Sequence, residues 1–218
     1  MTAMDSPSPH GPAPSKRRIF AWTLLVLALV GIGGATLYQR LTRPAPPPIF
    51  GHLPDFTLTN RDGRPVSLGD LAGKPFIADF IFTRCGVSCP LMTQRMAKLA
   101  RELPRAKEIR FVSFTVDPAY DTPAVLDAYA RRQNAPPSWL FLTGDRDRIF
   151  RLSRKGFLLG IEPNPPPGAA APGELILHST RFVLVDGKGR LRGFYEGFAD
   201  ETPAQIERDR EGLRTEGR

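Results

Sequence analysis

The sequence predicts an α/β sandwich with a mixed sheet, preceded by an N-terminal transmembrane helix. Segments with strand periodicity alternate with segments of helical periodicity, in the order βββαβαβαββα, which is typical of a sheet covered by helices. A separate run of twenty uncharged residues stands before them. The 41% hydrophobic and 24% charged content is that of a globular protein, and two cysteines are too few for a disulfide-stapled scaffold.

The uncharged run is residues 19–38, IFAWTLLVLALVGIGGATLY. A helix of this length crosses a hydrocarbon core of roughly 30 Å. Lys16, Arg17 and Arg18 precede it and favour a single-pass orientation with the N-terminus in the cytoplasm. The alternative is a cleaved secretory peptide, with the small residues 33–35 as the cleavage site. Under both interpretations the rest of the chain is exported across the membrane.

Composition divides the remainder of the chain into a tail, a linker, a domain and a terminal helix. Residues 1–18 are rich in Ser, Pro and Ala and are predicted to be a disordered cytoplasmic tail. Residues 39–50 are a Pro-rich linker with extended polyproline II geometry. The predicted domain covers 51–200, and residues 201–218 are a C-terminal helix and tail.

The charge distribution argues against a nucleic-acid partner. Of the net charge of +8, half lies in residues 1–43, which contain five basic residues and one acidic residue. The remaining domain is mildly basic and has no interleaved aromatic and basic pattern. Half of the net charge therefore belongs to the N-terminal segment.

The first elements of the domain are a hairpin and a central strand. Residues 55–60 alternate polar and apolar, 61–63 supply turn chemistry, and 65–68 return as the second strand. Residues 75–82, PFIADFIF, are nearly all apolar, as expected of a strand covered on both faces. The later predictions are helix 91–103, strand 109–116, helix 122–132, strand 139–143, helix 146–155, a Pro/Ala loop at 160–173, the hairpin 181–185 with 191–195, and helix 203–213.

The two cysteines, Cys85 and Cys89, lie where the central strand passes into the following helix. Ligand sites in open α/β sheets lie at the carboxyl ends of strands. Pro90 is tolerated in a first helical turn, so we expect the helix to begin near residue 87 or 88. The positive end of the helix dipole then favours thiolates, which exchange disulfides or bind soft metals such as Cu(I). A structural disulfide restrains little chain at this spacing.

His178 is the candidate third ligand, because it follows the long loop and precedes the strand RFVLVD. A lone histidine in a sequence is more often a surface or core residue, and that alternative stays open here. His10 and His52 lie outside the motifs. Zinc is disfavoured, since a closed zinc site uses four ligands.

Four further side chains lie near the cysteines in the predicted fold. Met92 and Met96 continue a helical stripe into Leu residues and are predicted to be core. Asp117 follows a strand at the same sheet edge as Cys85. It is predicted either to orient a metal ligand without binding the metal itself or to form a turn. Asp121 is predicted to cap the next helix, with Thr122 as the alternative cap.

Five stretches between about Phe56 and Gly197 stand out as motifs. They are FTLTNRDGRPVSLGDLAGKPFIADFIFTRC, the CxxxCP motif at 85–90, TVDPAYDTP at 115–123, WLFLTG at 139–144 and HSTRFVLVDGKGRLRG at 178–193. Together these motifs resemble the Sco/SenC family, thioredoxin-fold copper chaperones for cytochrome c oxidase assembly. Residue 86 is glycine where family members often have proline, which makes the loop more flexible.

The resemblance implies a thioredoxin-like domain in which Cys85, Cys89 and His178 bind copper. It implies an anchored domain facing the bacterial periplasm or the mitochondrial intermembrane space. The implied partner is the copper-bearing subunit of cytochrome c oxidase or another copper-accepting protein.

Three other functions remain open at this point. A thiol-disulfide oxidoreductase would use Cys85 and Cys89 as a redox pair, although the spacing is CxxxC and not CxxC. A thiol peroxidase is suggested by Thr83-Arg84-Cys85, but Phe80 stands where peroxiredoxins have proline. A copper or redox sensor is the third.

Overall fold

The computed structural model describes residues 16–41, 44–86, 88–160 and 179–216. The chain divides into two units, residues 1–43 and residues 44–218. Residues 1–15 of the predicted tail and residues 161–173 of the predicted loop lie outside the described residues, as does His178, whereas residues 16–18 of the predicted tail belong to a helix.

Helix α1, Lys16–Leu41, is the described part of the first unit. Its described large apolar side chains, from Phe20 to Tyr38, are exposed. Within the described part of the chain, no helix combines the length and the hydropathy that a membrane crossing requires. The assignment of 19–38 as a transmembrane helix therefore stays a prediction.

The second unit is built on a mixed sheet of eight described strands, in the order β1-β8-β7-β4-β5-β6-β2-β3. Strand β4 pairs in parallel with β5, and β5 with β6, while the other neighbours are antiparallel. The predicted mixed α/β sheet is thus confirmed. The strands are β1 Gly51–His52, β2 Thr57–Asn60, β3 Pro65–Ser67, β4 Phe76–Ile81, β5 Arg110–Thr115, β6 Leu140–Thr143, β7 Arg181–Val185 and β8 Arg190–Glu196.

Four helices of the second unit follow the predicted order. They are α2 Ser88–Glu102, α3 Pro123–Arg132, α4 Arg146–Arg151 and α5 Thr202–Glu216. Helix α3 has Pro123 in its first turn, where a missing N–H costs nothing. Helix α4 is shorter than predicted, because its α-helical hydrogen bonding gives way to a π-helical turn at Leu152–Gly156.

Strand β4 occupies the middle of the sheet, and all six of its residues are buried. This agrees with the apolar run from which the central strand was predicted. The carboxyl end of β4 lies beside that of β5, with which it pairs from Phe76↔Arg110 to Ile81↔Thr115. The loops that follow these two strands therefore meet at one edge of the sheet.

Residues between 47 and 52, which precede β2, make hydrogen bonds to strand β8. Strand β1 pairs with β8, and the Phe50 N–H donates to the Leu191 carbonyl at 2.9 Å. The buried Arg192 guanidinium donates to the Pro47 carbonyl at 3.1 and 2.6 Å. Part of the segment predicted as a linker is thus tied to the sheet.

Candidate metal and redox site

The two cysteines lie on the connection between β4 and α2. Strand β4 ends at Ile81, and α2 begins at Ser88, as the position of Pro90 predicted. Cys85 lies in the connection and is partly exposed, whereas Cys89 is the second residue of α2 and is 2% exposed. Both are thiols in this structure. One sulfur is thus open to a partner and the other is covered.

The Cys85 sulfur lies at the start of α2. The backbone N–H of Cys89 donates to Cys85 Sγ at 3.3 Å, and Ser88 Oγ lies 3.5 Å from the same sulfur. An N–H directed at sulfur at a helix N-terminus stabilises negative charge there. Because the N–H that donates to the Cys85 sulfur is that of Cys89 itself, the first turn of α2 holds the two cysteines together.

The inner thiol behaves differently from the expectation that the helix start favours thiolates. Burial raises the pKa of the Cys89 thiol above its ordinary value, and the nearby Cys85 adds to the rise, although a backbone hydrogen bond at Phe82 opposes it. Desolvation outweighs the helix dipole at this position. Without a bound cation Cys89 stays protonated at neutral pH, and a metal ion would displace that proton.

The cysteine loop is tied to the loop after β5 through Asp121. Its carboxylate accepts hydrogen bonds from the Thr83 backbone N–H at 3.1 Å, from Thr83 Oγ1 at 2.5 Å and from Thr115 Oγ1 at 2.5 Å. Asp121 is fully buried, and burial raises its pKa in spite of these bonds. Of the two residues predicted as possible caps of α3, the cap is Thr122, which accepts from the Val125 N–H, so its assignment to Asp121 was wrong.

A second tie joins Arg84 to Asp117. The Arg84 side chain pairs with the Asp117 carboxylate at 2.5 Å and lies over the Tyr120 ring, 4.6 Å from its centroid. Asp117 is therefore linked to the residue directly before Cys85, at the sheet edge where the sequence predicted it. The sequence analysis did not predict that Thr83 and Arg84 bind these two carboxylates. Their position directly before Cys85 was the available signal.

Asp79 is a buried carboxyl group beneath the site that sequence reasoning missed. It lies in β4 with no exposed surface and accepts from Ser113 Oγ at 2.6 Å, while its other oxygen, Oδ2, has no partner among the described residues. Burial raises its pKa to about 7. Asp79 also adds to the rise in the pKa of Cys89. The signal was an acid in the middle of an otherwise apolar strand.

The described residues bring Cys85 and Cys89 together and tie Asp117 to Arg84, the residue before Cys85, but His178 lies outside them. Met92 and Met96 are buried in the core, as predicted. Within the described ranges, no group of three or more His, Cys, Asp or Glu side chains is arranged to hold a metal ion. Two soft sulfur donors on one turn suit copper, and a complete trigonal site requires one more ligand.

Comparison with known proteins supplies a family. The model described as SCO1/SenC matches residues 49–211. The SCO1 protein homolog of Bacillus subtilis strain 168 is 34% identical over 185 residues, which cover 83% of this chain and 87% of the relative.

Two solved structures are informative. BsSco, described with a disulfide switch and as a member of the Sco family of cytochrome c oxidase assembly proteins, is 31% identical, with a TM-score of 0.67 over 80% of this chain and 99% of that one. Yeast Sco1 with copper bound is 25% identical, with a TM-score of 0.57 over 72% of this chain and 86% of that one. The thioredoxin-like fold expected from the resemblance is confirmed by these likenesses.

Proposed function

The chain belongs to the SCO1/SenC family, and on that premise we propose that it is a membrane-anchored copper metallochaperone. Cys85, Cys89 and His178 hold one copper ion, which a copper-accepting protein takes over by ligand exchange. The proposed acceptor is the copper-bearing subunit of cytochrome c oxidase. The observation that carries the proposal is the contact of the Cys89 N–H with Cys85 Sγ at 3.3 Å, which holds two soft donors on one helical turn.

The surroundings of the sulfurs support binding of a soft monovalent ion. Cys85 is partly exposed, so an ion can enter and leave on the side of its sulfur. Cys89 is buried, so its sulfur is shielded from water. Copper binding releases the thiol protons, and the burial that raises the Cys89 pKa makes uptake pH-dependent. Copper must be offered to the reduced pair, since a disulfide has no thiolate to donate.

The ties around the loop support the proposal because they fix the ligands from outside. Asp121 binds Thr83 and Asp117 binds Arg84, so both residues before Cys85 are held to the loop after β5. Groups of this kind orient ligands and tune a metal site. The side chain absent at Gly86 leaves open space, since a Cβ there would meet nothing within 4 Å. Both residues before Cys85 are thus held in place, and a side chain at position 86 would not be crowded.

We propose that α1 anchors the domain in a membrane. The support is its length of 26 residues, the uncharged run 19–38 and the exposed apolar side chains from Phe20 to Tyr38. The bases at 16–18 favour a single pass with the domain outside the cytoplasm, in a bacterial periplasm or the mitochondrial intermembrane space.

The second candidate is a thiol-disulfide oxidoreductase. Cys85 and Cys89, one helical turn apart, could join in a disulfide, and the related BsSco is described with a disulfide switch. Oxidation of the pair would pass two electrons and two protons to a disulfide of the partner, which becomes two thiols. The reactive sulfur would be that of the partly exposed Cys85, because burial raises the pKa of the Cys89 thiol.

A copper titration of the full chain in mild detergent tests both candidates. The reduced chain is titrated with Cu(I) against a competing chelator, beside Cys85→Ser, Cys89→Ser and His178→Ala, with His52→Ala as the matched histidine control. Metallochaperone function predicts one copper per chain and loss of high affinity in all three site variants but not in His52→Ala. Unchanged binding by His178→Ala, together with rapid reduction of a disulfide substrate, supports the oxidoreductase instead.

A further inference from the structure

A cleft with a volume of about 740 Å³ lies within the second unit, between the α4 segment and the residues around β2 and β3. Sites for small molecules usually measure about 300–1,000 Å³. One wall carries three basic side chains, which are those of Arg148, Arg151 and Lys155. The facing wall consists of residues 54–57 and 67–69, of which Asp55 is acidic. The described lining therefore has an excess of two positive charges.

The three basic side chains of this cleft are exposed, and none of them forms an ion pair with a carboxylate of the described residues. Arg148 donates one hydrogen bond, from Nη1 to the Thr57 carbonyl at 3.2 Å. In contrast, Arg190 and Arg192 of the same domain both pair with Asp186. Like charges close together on a helix repel one another, so an anion in the cleft would be attracted by all three bases and would relieve their repulsion.

The core holds the basic wall in place from behind. Ile149 and Phe157 have no exposed surface, and between them the helix changes to a π-helical turn at Leu152–Gly156. Such turns are rare and frequently lie at functional sites. A Cβ atom on Gly156 would lie 3.0 Å from Pro54 Cδ, so the π turn contacts the facing wall closely. The backbone that carries the bases is therefore fixed relative to that wall.

The chemistry of the lining favours a phosphate monoester as the ligand. Arginine presents a planar fork of N–H donors that matches phosphate oxygens, and lysine adds a compact charge. A phosphate monoester carries about −1.5 to −2 charges at neutral pH, which matches the excess of two better than the single charge of a carboxylate does.

The cleft is larger than one phosphate group, and part of its lining is apolar. The apolar residues are Pro54, Phe56, Leu68 and Leu152. We propose that the cleft binds a phosphate monoester, with the phosphate held by Arg148, Arg151 and Lys155 and the rest of the ligand against the apolar lining. This chemistry is shared by the headgroup of a phosphatidic acid and by a soluble phosphate ester. The inference goes beyond the proposed copper function and does not depend on it.

Thermal unfolding of the copper-free full chain in mild detergent, at fixed ionic strength, tests for binding. The probes are glycerol 3-phosphate and dihexanoyl phosphatidic acid, and zwitterionic dihexanoyl phosphatidylcholine is the control ligand. A ligand that binds the folded state raises the thermal midpoint, and the dependence on its concentration gives the Kd. We expect a rise with both phosphate monoesters and none with the phosphatidylcholine.

Two variants test whether the cleft is the site. Arg151→Gln and Lys155→Gln should each raise the Kd for glycerol 3-phosphate by about 10–100-fold, because each removes a hydrogen bond to a charged group. Arg154→Gln is the matched control, since Arg154 is an exposed base of the same π turn that does not line the cleft. Its Kd should stay near the wild-type value. All three substitutions change exposed side chains, so the unliganded midpoints should stay close to that of wild type.

The proposal is overturned if neither phosphate monoester raises the midpoint of wild type. It is also overturned if Arg154→Gln weakens binding as much as Arg151→Gln does, because that result indicates diffuse attraction of anions to a basic surface. Tighter binding of the phosphatidic acid than of glycerol 3-phosphate supports the proposal with a lipid headgroup as the ligand. Equal or weaker binding of the lipid supports it with a soluble ester. The copper titration has a separate readout, so either proposal can fail while the other stands.

Discussion

The guanidinium of Arg84 donates two hydrogen bonds to a single oxygen of Asp117, at 2.9 Å from Nε and 2.5 Å from Nη2. The Asp117 N–H in turn donates to Thr115 Oγ1 at 3.0 Å, and Thr115 donates to Asp121. Arg84 is thereby connected to the end of β5. The ion pair with Asp117 thus holds Arg84, the residue before Cys85, in place. Gly86, the residue after Cys85, has no side chain that could make such a contact.

Removing the Arg84 side chain should affect copper more than folding. Arg84→Ala loses an ion pair whose cation is half exposed, so the free energy of unfolding should change by no more than about 1 kcal/mol. Copper affinity should fall by about tenfold, because the loop carrying Cys85 loses an orienting contact. The two quantities are measured by urea unfolding and by chelator competition.

The matched control for Arg84 is Arg64→Ala, which removes an exposed ion pair with Asp62 in the β2–β3 turn. It should change neither quantity. Wild-type copper affinity in Arg84→Ala would show that the ion pair does not support the site.

Asp121 should matter chiefly for stability. Asp121→Ala leaves the Thr83 N–H, the part-buried Thr83 hydroxyl and the buried Thr115 hydroxyl without their acceptor, and we expect a loss of about 2–4 kcal/mol in the free energy of unfolding. Urea unfolding followed by the fluorescence of buried Trp139 measures it. Asp55→Ala, at an exposed acid, is the control. A loss below about 0.5 kcal/mol, the range of ordinary surface substitutions, would contradict the account.

Asp79 should make stability fall as pH rises. Its pKa is raised from 3.8 to about 7 in the folded protein, so between these values the folded state holds a proton that the unfolded state has lost. The contribution is complete below the unfolded pKa and is lost as pH rises through the folded pKa, with a limiting slope of about 1.4 kcal/mol per pH unit.

Asp79→Asn tests this directly, because an amide does not titrate. Urea unfolding of both chains from pH 4.5 to 8 should give curves that diverge, with the variant gaining on wild type as pH rises. The histidines and all other acids are common to both chains and cancel in the difference. Parallel curves would show that Asp79 does not retain its proton in the folded state.

Much of the site's framework followed from local sequence. The apolar run at 75–82 predicted a strand buried on both faces, and Pro90 placed the start of α2, because both signals act within a few residues. Asp117 was expected at the edge that carries Cys85, since parallel strands end together. These predictions needed no knowledge of distant packing.

The rest depended on contacts between residues far apart in the chain. Asp121 and Thr122 are both good caps, and the choice between them was made by Thr83, 38 residues earlier. Strand β1 has two residues and exists through its pairing with β8, so it has no periodicity of its own. Gly197 looked ordinary in the sequence, and only the packing of Met92 against it shows that a side chain there would clash.

X-ray absorption spectroscopy of the Cu(I)-loaded chain is the most direct test of the central claim. The account predicts two sulfur neighbours and one imidazole nitrogen in wild type, and loss of the imidazole scattering in His178→Ala with both sulfurs retained. A wild-type spectrum without an imidazole contribution, or one identical to that of His178→Ala, would contradict the claim that Cys85, Cys89 and His178 together hold the ion.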